Sequence, residues 1–185
     1  MKQVDRILQR WRLDQLRPYL SKDARVLDIG CADGALFTRF GSSIGELVGI
    51  DPNLTQSVRT ERCTLVAGRF PDNLPDAEPF DAIAMLAVLE HIPPEEQRRW
   101  AAACPRLLKP GGYLVITVPS PVVDWILPVL KFVGVIDGMS LEQHYGFEPG
   151  RVPSLFLAGG LTLVTAKTFQ LGCNNLFVFQ QATVG

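Results

Sequence analysis

The stretch Val26-Leu27-Asp28-Ile29-Gly30-Cys31-Ala32-Asp33-Gly34 limits the folds open to this 185-residue chain more than any other. The apolar run Val26 to Ile29 suits a strand buried on both faces, and Gly30 and Gly34 allow a sharp turn and a close backbone approach where a side chain would clash. Asp33 is placed to cap the helix that follows through Ala35, Leu36 and Phe37. A buried strand entering a helix through a glycine turn makes an elbow at which a ligand can sit against backbone.

Charge narrows the ligand. A dinucleotide fingerprint wants glycine where Ala32 stands, so that the backbone can touch a pyrophosphate. Asp28 and Asp33 lie in or beside the loop, with no Lys or Arg between Val26 and Thr38, so a phosphate would meet two negative charges and only a helix N-terminus in compensation. A cationic ligand fits better, and S-adenosylmethionine, with a sulfonium and an ammonium against one carboxylate, is such a ligand. A second apolar strand, Leu47 to Ile50, ends at Asp51-Pro52, where an acid can accept both hydroxyls of a ribose.

Five stretches occur in order: Val26 to Gly34, Val48-Gly49-Ile50-Asp51, Phe80-Asp81-Ala82-Ile83-Ala84-Met85, Leu89-Glu90-His91-Ile92-Pro93 and Leu107-Leu108-Lys109-Pro110-Gly111-Gly112. Together they resemble the Rossmann-like, class I S-adenosylmethionine-dependent methyltransferases of the small-molecule, type-11-like group, from about residue 20 to residue 180. The resemblance implies one α/β domain over residues 1–185, doubly wound, with a seven-stranded, mostly parallel sheet whose last strand is antiparallel. It implies S-adenosyl-L-methionine as cofactor, held by Asp28, Gly30, Cys31, Ala32, Gly34, Asp51, Pro52, Gly68, Arg69, Phe70 and Leu86. Related sequences often carry an acid after the equivalent of Gly68 that hydrogen-bonds the adenine amino group. This chain has Arg69-Phe70 there, so Asp72 or backbone groups are left to make that contact, with Phe70 able to pack on the ring.

Composition fits one intracellular globular domain. A hydrophobic share of 47% gives material for a core, and a net charge of −1 gives no reason to expect nucleic acid as a partner. Cys31, Cys63, Cys104 and Cys173 lack metal-ligand spacing and no signal-peptide pattern opens the chain, so a reducing cytoplasm is the expected compartment. Cys31 has no neighbouring His or Lys to lower its pKa, which favours a packed residue over a catalytic thiol.

Periodicity predicts a helix over 3–20 leaning on the cofactor cleft, a helix from Asp33 to Phe40, and a short helix over Asn53 to Arg59. A strand is expected at Cys63 to Ala67, a long loop from Gly68 to Pro79, and a strand from Asp81 to Leu86. A helix over Pro94 to Leu108 and a strand over Gly112 to Val118 follow, with Lys109-Pro110-Gly111-Gly112 as a stop and start between them. A crossing helix at Arg151 to Ala158 precedes a hairpin of Leu161 to Gln170 with Asn175 to Gln180, turning at Leu171-Gly172.

The segment after the fourth strand bears on the reaction class. Methyltransferases of base amines carry an Asp/Asn-Pro-Pro-aromatic turn here, whereas this chain has Leu86-Ala87-Val88-Leu89. Leu86 and Ala87 also cannot supply the oxygen ligands a magnesium ion requires, so no metal site is expected. His91 is one candidate base and His144, after the apolar stretch, is the other, since in similar sequences a His at that point faces the acceptor. The segment 119–146, nearly continuous in apolar residues from Val122 to Ile136, is too short and broken to span a bilayer. Three readings stand open for it: a lid over a hydrophobic small-molecule acceptor, a homodimer contact, or a membrane-surface helix through 121–136. Two other functions stay open beside methyl transfer, preferably to oxygen or carbon: a catalytically silent binder that keeps the fold, and a nicotinamide-dependent oxidoreductase.

Overall fold

Apolar runs with no polar face can be satisfied only in strands covered on both sides. The computed structural model describes residues 3–32, 34–75, 78–121 and 147–183. Asp33, His144 and the apolar stretch 122–136 lie outside those residues. The elements, in chain order, are α1 (Gln3–Asp14), β1 (Arg25–Ile29), α2 (Ala35–Phe40), β2 (Glu46–Asp51), β3 (Val58–Arg59) and β4 (Cys63–Ala67). There follow β5 (Phe80–Leu86), α3 (Pro94–Leu107), β6 (Leu108–Pro119), α4 (Val152–Ala158), β7 (Thr162–Phe169) and β8 (Asn174–Gln180).

Among the described residues, eight strands form one sheet in the order β3-β4-β2-β1-β5-β6-β8-β7. β4, β2, β1, β5 and β6 run parallel, whereas β8 is antiparallel to both of its neighbours. Strand order reverses between β1 and β5, so the chain leaves their carboxyl ends in opposite directions and opens a crevice there.

Alternation along the strands sorts side chains onto two cores. Leu27, Ile29, Ile83, Met85, Leu114 and Ile116 face α3 and α4, meeting Trp100, Cys104 and Phe156. Their neighbours Val26, Ala84, Val115 and Val178 face α1 and α2, meeting Leu13, Leu16, Leu36 and Phe40. Asp28 has the parity of Val26, which turns its carboxylate toward α1 and α2.

Three expectations need correction. The sheet has eight strands where seven were expected, because Val58–Arg59 pairs antiparallel with Leu65 and Thr64 at the edge. The same pairing replaces the helix expected over Asn53 to Arg59: the Thr60 amide donates to the Cys63 carbonyl at 2.8 Å, closing a hairpin that Thr, Ser and Val favour over a helix. The helix expected over 3–20 ends at Asp14, and Arg17–Tyr19 is a separate 3₁₀ turn with Pro18 near its start.

Lys109-Pro110-Gly111-Gly112 lies inside β6 as a bulge, since Phe80 pairs with Leu108 and the ladder resumes only at Ala82 and Tyr113. Asp81 fills the gap. Lys109 Nζ donates to both of its carboxylate oxygens, at 2.9 and 2.8 Å, and the Arg25 amide donates to Oδ2 at 2.8 Å. Partial burial works to raise the Asp81 pKa, but the bonds from Lys109 and Arg25 prevail and hold it below the usual 3.8.

Asp81→Asn should lower the stability of the fold by about 1–2 kcal/mol at pH 7, read from urea unfolding. Because the folded pKa lies below the unfolded one, the carboxylate contributes fully above pH 3.8 and loses its contribution as pH falls through the folded pKa. The two unfolding curves should therefore converge in acid, and a gap that persists there would refute the ion pair as its source.

Candidate active site

The elbow after β1 is built around contacts that a side chain would block. Gly30 sits at φ +80°, and a Cβ there would come within 2.4 Å of Val88 Cγ2. Its amide donates to the Ile50 carbonyl at 2.8 Å, tying β1 to the end of β2. Ala32 also has positive φ, +43°, and in that conformation its amide donates to Asp51 Oδ2 at 2.9 Å. The Asn53 amide donates to Oδ1 at 2.8 Å, and the Gly68 amide to the Asp51 carbonyl at 3.2 Å. Asp51 is buried, with one amide on each carboxylate oxygen. A carboxylate offers about four lone-pair sites, so each oxygen keeps capacity for one further donor. Two adjacent hydroxyls would use it.

Two cavities meet at this elbow. The larger, of about 550 Å³, is lined by Asp51, Pro52 and Asn53 after β2, by Arg69 and Phe70 after β4, and by His91, Ile92, Glu96 and Trp100 after β5. The smaller, of about 200 Å³, is lined by Gln9, Arg12 and Leu13 of α1 together with Asp28, Cys31 and Leu86. Both touch Gly30, Ala32, Ala87 and Val88, so the glycine elbow forms the neck between two lobes. The large lobe suits a nucleoside. The small one has an arginine and an aspartate on its walls, the pair that an amino acid's carboxylate and ammonium require. The residues present thus fit S-adenosylmethionine.

Most residues singled out in the sequence come together here. Gly30, Ala32, Asp51, Pro52, Arg69, Phe70 and His91 line the large lobe, and Asp28, Gly30, Cys31, Ala32 and Leu86 the small one. Gly34 and Gly68 line neither and act on the backbone: Gly34, at φ +72°, closes the turn onto the Cys31 carbonyl at 2.8 Å. Phe70 is buried and meets Trp100 edge-on, with ring centroids 5.2 Å apart. Asp72 pairs with Arg99 at 2.6 Å and does not reach the cleft wall. His91 is exposed at the mouth, while His144 lies outside the described residues.

Arg12, Asn53, Glu96 and Trp100 escaped the sequence reading. Arg12 and Glu96 sit on helices, where the residue facing a cleft differs from its neighbours only by angle.

Burial and the Asp28 and Asp51 carboxylates push the Cys31 thiol up to about 12, so it stays protonated at neutral pH and packs under the loop. Glu90, two residues after Val88, is buried, its Oε2 has no hydrogen-bond partner among the described residues, and burial lifts its carboxyl to about 7. Among the described residues, no group of three or more His, Cys, Asp or Glu is placed to hold a metal ion.

A doubly wound sheet with a carboxylate at the end of its second strand and a glycine elbow at its switch point is the arrangement of class I S-adenosylmethionine-dependent methyltransferases. A methyltransferase-domain family model matches residues 2–167, and the chain belongs to that family, whose cofactor is S-adenosylmethionine. It is 32% identical over 131 residues to a ubiquinone biosynthesis O-methyltransferase of Idiomarina loihiensis, a match covering 65% of this chain and 53% of that protein. The chain spans about half the length of the curated relatives it matches.

The N-methyltransferase NodS of Bradyrhizobium japonicum WM9 superposes with a TM-score of 0.65 at 21% identity, covering 94% of this chain and 96% of that one. The Burkholderia thailandensis 1,6-didemethyltoxoflavin-N1-methyltransferase, solved with its acceptor and S-adenosylhomocysteine, does so at 0.67 and 20% identity, covering 94% and 77%. At such identities the likeness speaks for the fold.

Asp51→Ala should weaken S-adenosylhomocysteine binding by about 1.5–3 kcal/mol, the range for hydrogen bonds to a charged group. Calorimetric titration measures it, and unchanged affinity would remove Asp51 from the cofactor seat.

Proposed function

We propose that this chain transfers the methyl group of S-adenosylmethionine to a small acceptor with a hydrophobic or aromatic body, through oxygen or carbon, without a metal ion. The two-lobed cleft carries the reading, with Asp51 at its nucleoside end and Arg12 and Asp28 at its amino-acid end. The cofactor supplies a methyl already activated on a sulfonium. What remains for the protein is alignment of the acceptor and exclusion of water.

Each residue has a defined task. Asp51 accepts the ribose hydroxyls on the lone pairs its two amide donors leave unused. Arg12 suits the carboxylate of the methionine moiety and Asp28 its ammonium. Ala87 and Val88 line the neck, and Leu86 the small lobe beside it, with apolar groups, which keeps water from the methyl. An oxygen acceptor must also lose a proton, and a neutral imidazole can take it. His144 is assigned that role, with His91, at the rim of the large lobe, as second candidate.

The O-methyltransferase name of the curated relatives favours oxygen as the nucleophile. Leu86 and Ala87 favour an apolar acceptor over a base amine or a magnesium-bound catechol. The apolar segment 119–146 is assigned to the acceptor pocket as its lid, with a homodimer contact or a membrane-surface contact through 121–136 as the competing roles. Among the described residues, no helix is long and apolar enough to cross a membrane. The cytoplasm suits the four free thiols, and the net charge of −1 gives no purchase for nucleic acid. Catalytic silence is the second reading, favoured by Arg69 in the large lobe where related sequences carry an acid.

Labelled methyl transfer to a panel of phenolic, prenylated and aromatic acceptors tests these assignments. His144→Ala should lower the rate by roughly 10²-fold or more, the scale for a positioned base. Full activity in that variant with loss in His91→Ala would reverse the two roles. Cofactor binding with no acceptor methylated would favour the silent binder.

A chelator should leave methyl transfer unchanged. Loss of turnover restored by magnesium would contradict the metal-free reading.

A further inference from the structure

Arg69 occupies the position from which related sequences offer an acid to adenine, and a guanidinium can only donate hydrogen bonds. The exocyclic amine of adenine is a donor and needs an acceptor. Among the described residues, two carboxylates line the large lobe, Asp51 and Glu96. Asp51 is held by two amides at the end of β2, where the ribose sits in the reading above. Glu96 lines the same lobe from the first turn of α3. One helical turn on is Trp100, whose ring meets Phe70, so this face of α3 looks onto the wall made by Arg69 and Phe70.

Three observations separate Glu96 from neighbouring acids. It is half-buried against the cleft, whereas Glu95 beside it is exposed. Its carboxylate makes no hydrogen bond or ion pair with any described residue. Asp72, the other acid near the loop, is tied to Arg99.

We propose that Glu96 reads the exocyclic amine of the adenine ring and is the residue by which this chain selects an adenosyl cofactor. The inference rests on the cofactor seat assigned above. A carboxylate accepts from the 6-amino group of adenine, but it faces a carbonyl oxygen when that group is replaced by the 6-oxo group of hypoxanthine. Two acceptors then oppose each other and the deaminated ligand is disfavoured. A merely structural Glu96 would weaken both ligands alike and leave their ratio unmoved.

Calorimetric titration of wild type, Glu96→Ala and Glu96→Gln with S-adenosylhomocysteine and with S-inosylhomocysteine reads that ratio. Wild type should prefer the adenosyl ligand by at least about tenfold, and Glu96→Ala should bring the two within about threefold. Glu96→Gln, whose amide can donate to the carbonyl, should bind the inosyl ligand at least as well as Glu96→Ala does. A wild-type ratio in Glu96→Ala, with S-adenosylhomocysteine still bound, overturns the assignment of Glu96 and leaves the seat standing. Failure of wild type to bind either ligand, or full affinity in Asp51→Ala, overturns the seat and this inference together.

Discussion

The Asp51 carboxylate accepts the Ala32 amide on one oxygen and the Asn53 amide on the other, while its carbonyl accepts the Gly68 amide, so loops following three different strands meet at one residue. Those strands, β1, β2 and β4, are neighbours in the sheet, and their carboxyl ends are set at fixed distances by this one group. The arrangement also answers for a buried charge, because backbone amides satisfy half of its acceptor capacity before any ligand arrives. The same charge helps keep the Cys31 thiol protonated, so the loop beneath the ligand carries no competing nucleophile.

Around that fixed point the two helical layers make different contributions. α1 brings Gln9, Arg12 and Leu13 to the small lobe, and α3 brings Glu96 and Trp100 to the large one. Each helix is anchored by apolar side chains on a separate core, α1 by Leu13 on one face of the sheet, α3 by Trp100 and Cys104 on the other. The sheet fixes the elbow and the helices decide what surrounds each end of the ligand.

What could be read from the sequence follows from burial. β1, β2 and β5 announce themselves because both of their faces are covered, which forces apolar runs, interrupted in β1 by Asp28 alone. Gly30 and Asp51 announce themselves because a turn at φ +80° and a buried acid at a strand end have few other uses. β3 does not, since both Val58 and Arg59 are exposed and only a two-residue pairing holds them in the sheet. Asp81 and Lys109 look like loop punctuation until the bulge brings them together. Arg12 and Glu96 are hidden for a different reason: a lone charge on an amphipathic helix has the same local signature whether it faces water or a ligand.

β8 follows β6 and β7 in the chain yet lies between them, with its central residues Leu176 to Phe179 buried. Until residues 174–180 have been synthesised, β6 shows an open edge and β7 lacks the strand it pairs with, since β8 is its one partner among the described residues. During synthesis, then, β6, with five consecutive buried apolar or β-branched residues from Leu114 to Val118, waits with the hydrogen-bonding groups of that edge unmet. That is the state in which nascent chains aggregate, and the sheet can close only when a strand is inserted into its interior, not added at its rim.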